Sequence, residues 1–349
     1  MSPLRRKTSE IYWCVLTPAL LTLGAAHVVV AQEPVGYERV VRAAYEKYKN
    51  LDEGKNADYI PALAKVDPHL FGIALVTSDG KVYTAGDVTA EVSIQSVSKV
   101  FTMARVLQQS GEKAIEDNIG VDATGQVFNS IVAIEQYKGR EMNPLVNPGA
   151  ITTTSMIEGT TPDSVWHTII NTLDDFAGRV LTVNQDVYKS ESETNQRNQA
   201  IAMLMYAYER IKSNPLQATD LYTRQCSVNV NARDLATMAA TLAFGGRNPV
   251  TGRQVIDVRH VAPTLAVMAT AGLYDDSGKW LYATGLPAKS GVGGGLIAVS
   301  PGKFGIAVVS PPLDAAGNSV RGQRAIADIS AALGGNPYAQ LPGATTAKR

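Results

Sequence analysis

Ser96-Val97-Ser98-Lys99-Val100-Phe101, read together with Lys289-Ser290-Gly291 far downstream, is the stretch on which the reading of the fold turns. A serine three residues ahead of a lysine at a helix start puts both side chains on one helical face, where the lysine can take the serine's proton. Behind Ser96, the apolar residues Val97, Val100, Phe101, Ala104 and Leu107 recur at helical spacing. The segment to about Gln109 is therefore predicted to be a buried amphipathic helix. The first N–H groups of such a helix have no partner and its dipole is positive there, which favours an oxyanion and disfavours a charged lysine. The spacing itself is not distinctive, because Ser-x-x-Lys strings also begin at Ser78, Ser110 and Ser300. Ser78-Asp-Gly-Lys81 and Ser300-Pro-Gly-Lys303 read as turns, and Ser110-Gly-Glu-Lys113 follows a helix end.

Working outward, Phe71 to Val76, the turn Ser78-Asp79-Gly80 and Lys81 to Ala85 read as a β-hairpin. So do Leu296 to Ser300, Pro301-Gly302 and Phe304 to Val309. Helices are predicted between them, at Arg197 to Lys212 with Ala200, Met203, Leu204 and Ala207 on one face, and at Ala232 to Leu242 with Leu235, Met238 and Leu242. Strands at both ends with helices in the middle imply an α+β domain whose terminal strands meet in one antiparallel sheet. The chain has 349 residues, 45% of them hydrophobic and 18% charged, enough to bury one large core or two closely packed ones. Its formal charge is zero and its basic residues are scattered, so no footprint for nucleic acid or an anionic membrane is present.

Arg5-Arg6-Lys7 followed by the mostly apolar Ile11 to Val30 and by Val29-Val30-Ala31 reads as a signal peptide over residues 1–31, cleaved after Ala31. The expectation is a periplasmic or secreted protein with no stable membrane anchor after cleavage; the Arg5-Arg6 pair hints at twin-arginine export. A catalytic domain is expected over 32–334, with a flexible Gly-, Pro- and Ala-rich tail from about 335 to 349. Cys14 lies in the signal, so the mature chain keeps Cys226 alone and forms no internal disulfide; a lone cysteine is more often a small core residue than a nucleophile. The mature histidines His69, His167 and His260 stand in no catalytic motif, which disfavours a Ser-His-Asp triad, and no metal-ligand spacing occurs. Gly291-Val-Gly-Gly-Gly295 precedes a strand rather than opening a helix, so it reads as a place of close backbone approach to a ligand rather than a nucleotide loop.

Several strings together resemble the serine-dependent glutaminases. They are Ser93-Ile-Gln-Ser96-Val-Ser-Lys99-Val-Phe, Asn143-Pro-Leu-Val-Asn147-Pro-Gly-Ala-Ile, Ser190-Glu191 with Arg197-Asn198, Gln225-Cys226-Ser227, Gly272-Leu-Tyr274-Asp-Asp-Ser-Gly278 and Gly285-Leu-Pro-Ala-Lys289-Ser-Gly-Val292-Gly-Gly-Gly295. The resemblance runs from about Tyr37 to Leu333, and its most specific part extends from Gly285 to Asn318-Ser-Val-Arg-Gly322. It implies a β-lactamase/transpeptidase-like fold, an antiparallel sheet flanked by helices with a helical subdomain. It also implies hydrolysis of L-glutamine to L-glutamate and ammonia, no cofactor and no metal, and a homodimer or homotetramer.

Carried over by position, the resemblance implies Ser96 as nucleophile, Lys99 as its proton acceptor, and the amides of Ser96 and Val292 as an oxyanion hole. It implies substrate contacts at Asn147, Glu191, Asn198, Tyr222 and Tyr274, with Tyr59 as a further site tyrosine and Tyr222 or Tyr274 as proton relay. Glutamine carries an ammonium and a carboxylate, so one carboxylate, Glu191, beside neutral donors suits it. The chain departs from the family at Pro148, which removes an N–H and is expected to bias Asn147 toward an extended backbone, and in the insertion-like Gln136-Tyr-Lys-Gly-Arg-Glu141. The rival reading is an exported penicillin-recognising hydrolase, since Ser96-x-x-Lys99, Ser227-Val-Asn229 and Lys289-Ser-Gly291 mimic its three motifs; against it, Ser227 divides the interval between the other two unusually.

Overall fold

The computed structural model describes residues 36–140 and 142–339. The expected signal segment with its cleavage after Ala31, residue 141 of the insertion-like stretch, and the tail beyond 339 lie outside the described residues.

Both hairpins form where the turn chemistry places them. β1 (Gly72–Thr77) pairs antiparallel with β2 (Val82–Gly86), and Asp79 Oδ1 accepts from Thr77 Oγ1 at 2.6 Å in the turn. β3 (Val92–Ser93) and β4 (Asn229–Val230) make a separate two-stranded ladder just ahead of the Ser96 segment. β5 (Ala288–Ser290), β6 (Gly295–Ser300) and β7 (Phe304–Val309) complete the main sheet, whose order is β2-β1-β7-β6-β5 with every pair antiparallel. The strands from the two ends of the chain therefore meet as expected, with Ile73 opposite Val308.

Alternation along β1 sends Ile73 and Leu75 into the core beneath the helices Tyr37–Tyr48 and Val320–Leu333. Ala74 and Val76 go to the opposite core, against the helix Ala232–Ala243. Because both faces are covered, the strands read as continuous apolar runs instead of alternating ones. The helix Ala232–Ala243 buries the predicted Leu235, Met238 and Leu242, and Asn231 with Asp234 closes a capping box at its start. A third core, with Ile134, Ile151, Ile201, Met205 and Tyr222, forms the helical subdomain. Among the described residues no helix is long and apolar enough to cross a membrane.

Three local expectations are corrected. The predicted Ser96 helix begins as a 3-10 turn over Gln95–Val97 and becomes α-helical at Ser98–Ser110, with all five expected apolar positions buried. The next is the helix expected at Arg197 to Lys212, which spans Gln196–Ala207 and turns Ile201, Ala202 and Met205 inward, while Met203 is 50% exposed. From Ala200 to Ala207 the segment is apolar on every side, so two faces satisfied the period equally, and Glu209 at φ 59° follows the helix without a glycine to announce its end. The third is Asn147, expected to be extended before Pro148; it is the first residue of the helix Asn147–Ser155, where the missing proline N–H falls among the first four that no helical carbonyl takes. At the other end of the chain, Gly335 is held against the β6–β7 turn, its carbonyl accepting from Ser300 Oγ and its amide donating to Ser330 O, each at 2.7 Å.

Candidate active site

Ser96, Asn147, Glu191, Asn198, Tyr222, Val292 and Tyr59 line one cavity of about 360 Å³ between the helical subdomain and the main sheet. Ser96 is buried in the 3-10 turn, and Lys99, one turn further on, is 1% exposed. The Lys99 amine donates to Asn147 Oδ1 at 2.6 Å and to the Leu145 carbonyl at 3.4 Å, and among the described residues no carboxylate bonds to it. Burial lowers its pKa to about 8, so the free amine is readily available. Asn147 is the hub of the network: Oδ1 also accepts from the Tyr222 hydroxyl at 3.2 Å, and Nδ2 donates to Asn198 Oδ1 at 2.9 Å.

The glycine-rich loop ahead of β6 lies directly on the Ser96 turn. A Cβ at Gly293 would stand 2.4 Å from the Ser93 carbonyl oxygen, and one at Gly291 would stand 2.8 Å from that of Ile94. The close approach of this loop is thus to the backbone just before Ser96, and it carries Val292 to the cavity wall. Among the described residues no protein acceptor takes the backbone N–H of Ser96 or of Val292. Tyr274 stands behind the cavity, with φ 57°; its hydroxyl interacts with the Ser96 side chain and donates to Ser290 O at 3.2 Å, and its ring packs 4.9 Å from that of Phe128, which lines the cavity. Tyr59 is 57% exposed at the mouth. Burial raises the pKa of both Tyr222 and Tyr274 well above the ordinary tyrosine value, so both stay protonated donors.

Glu191, in the helix Gln185–Thr194, is 8% exposed, and burial raises its pKa to about 7 despite a short hydrogen bond from Gln95 Nε2. A buried carboxylate that gives up its proton near neutrality is a ready partner for a cationic ligand group.

The sequence profile of the glutaminase family matches residues 54–338. The chain belongs to the glutaminase family. It is 53% identical over 307 residues to the glutaminase of Colwellia psychrerythraea, covering 88% of this chain and 98% of that one. A solved structure described as a probable glutaminase superposes with a TM-score of 0.86 at 45% identity, covering 87% of this chain and 98% of that one. A crystal structure of Mglu in its glutamate form superposes with a TM-score of 0.83 at 33% identity, covering 88% and 71% respectively. The reaction of this glutaminase is accordingly the hydrolysis of glutamine.

Several residues of the glutaminase site escaped the reading of the sequence. Gln95 occupies the left-handed region at φ 49° and ties Glu191 to Ser93 Oγ, the latter at 3.1 Å, so the Glu191 carboxyl and the Ser96 turn are one unit. Gln225 braces the same turn, accepting from Thr102 Oγ1 at 2.9 Å and donating to Ser98 Oγ at 3.3 Å, while Ser98 Oγ donates to Gln95 O at 2.7 Å. For Gln225 the available signal was a glutamine beside a cysteine near a core helix end. Cys226, expected in the core, is buried and also lines the cavity; burial raises its thiol pKa to about 12, which leaves it unreactive. Ser227, the mimic of a middle penicillin motif, spends its hydroxyl on Thr223 O at 2.9 Å and is absent from the cavity wall.

Proposed function

We propose that this glutaminase cleaves L-glutamine through an acyl-enzyme on Ser96. The observation that carries the reading is Lys99, a buried amine one helical turn from Ser96 that is held by two neutral oxygens, where burial lowers its pKa to about 8. As Ser96 Oγ attacks the side-chain amide carbon, its proton passes to Lys99 Nζ. The carbonyl oxygen gathers charge and is met by the N–H groups of Ser96 and Val292, a donor of this kind being typically worth ~2.7–4 kcal/mol in the transition state. Collapse breaks the C–N bond, and the leaving nitrogen takes a proton from Lys99, relayed by the Tyr274 or Tyr222 hydroxyl, to depart as ammonia. Water then attacks the ester, its proton returns through Lys99 to Ser96 Oγ, and glutamate leaves. Glu191 pairs with the substrate ammonium, Asn147, Asn198 and Tyr222 hydrogen-bond the head group, and Tyr59 closes over the mouth.

The test is ammonia release from L-glutamine by the protein and its Ser96→Ala variant, with L-asparagine and nitrocefin in parallel. Turnover of glutamine that vanishes in the variant is expected; full activity in the variant, or hydrolysis of nitrocefin alone, overturns the assignment. We further propose that the mature enzyme is exported to the periplasm or beyond and assembles as a homodimer or homotetramer. Cell fractionation and sedimentation test these two points, and a cytoplasmic or monomeric protein refutes the corresponding one.

A further inference from the structure

Lys289 is buried as completely as Lys99, with 0% exposure, and no carboxylate bonds to it among the described residues. Its amine donates to two backbone carbonyls, Gly272 O at 3.0 Å and Ser290 O at 2.6 Å, and lies 4.1 Å from the centre of the Tyr274 ring. The titratable groups facing it are Tyr274, Lys99 and the Cys226 thiol. With burial complete, no carboxylate bonded among the described residues and Lys99 nearby, the charged form of this amine is disfavoured. Burial first, and Lys99 second, hold this amine well below the ordinary lysine value.

The two carbonyls belong to segments that meet at this point. Gly272 O also accepts from Ser290 N–H at 3.2 Å, and a Cβ at Gly272 would lie 1.7 Å from Ala288 O, so this turn rests directly on β5. Two residues on, Tyr274 sits in the left-handed region, where an aromatic side chain has no intrinsic reason to be. Ser277 Oγ helps hold it there, accepting from Leu273 N at 2.9 Å and donating to Tyr274 O at 2.7 Å. The Tyr274 hydroxyl and the Lys289 amine then converge on one oxygen, Ser290 O.

We propose that Lys289 is a positioning residue for Tyr274: its amine pins the Gly272 turn to β5, packs against the Tyr274 ring and shares Ser290 O with the Tyr274 hydroxyl, which is thereby held at Ser96. It contacts neither glutamine nor the travelling proton. The inference rests on the reading of Tyr274 as a group that serves Ser96.

Ammonia release by the unmodified enzyme, Lys289→Met, Tyr274→Phe and the double variant, measured across pH with folding followed by circular dichroism, tests it. Misplacement of a catalytic group by about 1 Å costs ~10²-fold, so Lys289→Met is expected to lower kcat by about 10- to 100-fold. KM should change by less than about threefold, and the double variant should be no slower than Tyr274→Phe alone, as for two groups acting in series. The acid limb of the kcat profile, set by Lys99, should stay in place. Unchanged kcat in Lys289→Met beside an impaired Tyr274→Phe overturns the proposal, as does a rise in KM alone or additive losses in the double variant. An upward move of the acid limb by about one unit overturns it too, because it would mean that a positive charge beside Lys99 had been removed. Lys289→Gln, which keeps a donor for one carbonyl, is read by the same criteria if the methionine variant does not fold. A fully active Tyr274→Phe would instead remove the role of Tyr274 itself, a separate result.

Discussion

A single methyl group at Gly293 is expected to disable the enzyme without unfolding it. The Cβ of an alanine there would stand 2.4 Å from Ser93 O and 3.2 Å from Ser93 Oγ, whereas real Cβ contacts do not fall below 3.0 Å. The glycine loop and the nucleophile turn must then part by about 0.6 Å, since the first contact has to open from 2.4 to 3.0 Å. Gly293 does not use the left-handed region, so the alanine backbone is unstrained and the effect is purely one of space. An oxyanion contact of about 2.9 Å to the Val292 amide would lengthen to about 3.5 Å, outside hydrogen-bond range. Loss of one such donor is worth ~2.7–4 kcal/mol, or roughly 10²- to 10³-fold in kcat. KM should hold within a few-fold, because Glu191 and Asn147 sit on other elements. Ammonia release coupled to glutamate dehydrogenase gives kcat and KM, and thermal melting confirms the fold. A folded Gly293→Ala enzyme with kcat within about threefold of the parent would refute the oxyanion reasoning.

The other expectations concern charge. Lys99 takes a proton only as the free amine, so kcat should rise with pH to a plateau above about 8; a profile flat from pH 6 to 9 contradicts this. Its folded pKa is depressed, so the native state bears the cost of the buried charge below about 8 and recovers stability between there and 10.5. Lys99→Met should therefore be inactive yet more stable at pH 7, by up to about 3 kcal/mol at 1.36 kcal/mol per unit, and a lower melting temperature would count against it. Glu191 must be ionised to hold an ammonium, so KM should climb as pH falls through about 7, and Glu191→Gln should raise KM by about tenfold or more with kcat nearly unchanged; an unaltered KM removes Glu191 from the head-group site. The Cys226 thiol, buried and pushed up to about 12, should leave the enzyme insensitive to N-ethylmaleimide at pH 8, and stoichiometric inactivation would show the thiol to be open.

The hairpins and the Ser96 and Ala232–Ala243 helices were legible because their signals are local: a Ser-Asp-Gly turn, and apolar residues at helical spacing that the fold buries. The helix Gln196–Ala207 was misoriented because its exposed side carries Ala200, Met203, Tyr206 and Ala207, so no polar face beyond the first turn declares its outside. The sequence offered the site only as a set of residue types at family positions; Asn147, Glu191, Asn198 and Tyr222 line the same cavity as Ser96. The roles of Gln95 and Gln225 were not legible, because a glutamine carries no electrostatic or periodic signature until its partners are known. The same holds for the left-handed backbone at Gln95 and Tyr274, which tertiary contacts impose against local preference.

The pairing of β1 with β7 sets a constraint on how the molecule comes into being. Ile73 cannot find Val308 until almost the whole chain exists, and loop closure over that distance is slow compared with the formation of any helix between them. Until then the hairpin of β1 and β2 offers a bare apolar edge, and of the two helices that cover Ile73 and Leu75 only Tyr37–Tyr48 is in place. A chain lacking β7 is thus expected to be catalytically silent and prone to aggregate, a liability that should end when β7 closes the sheet.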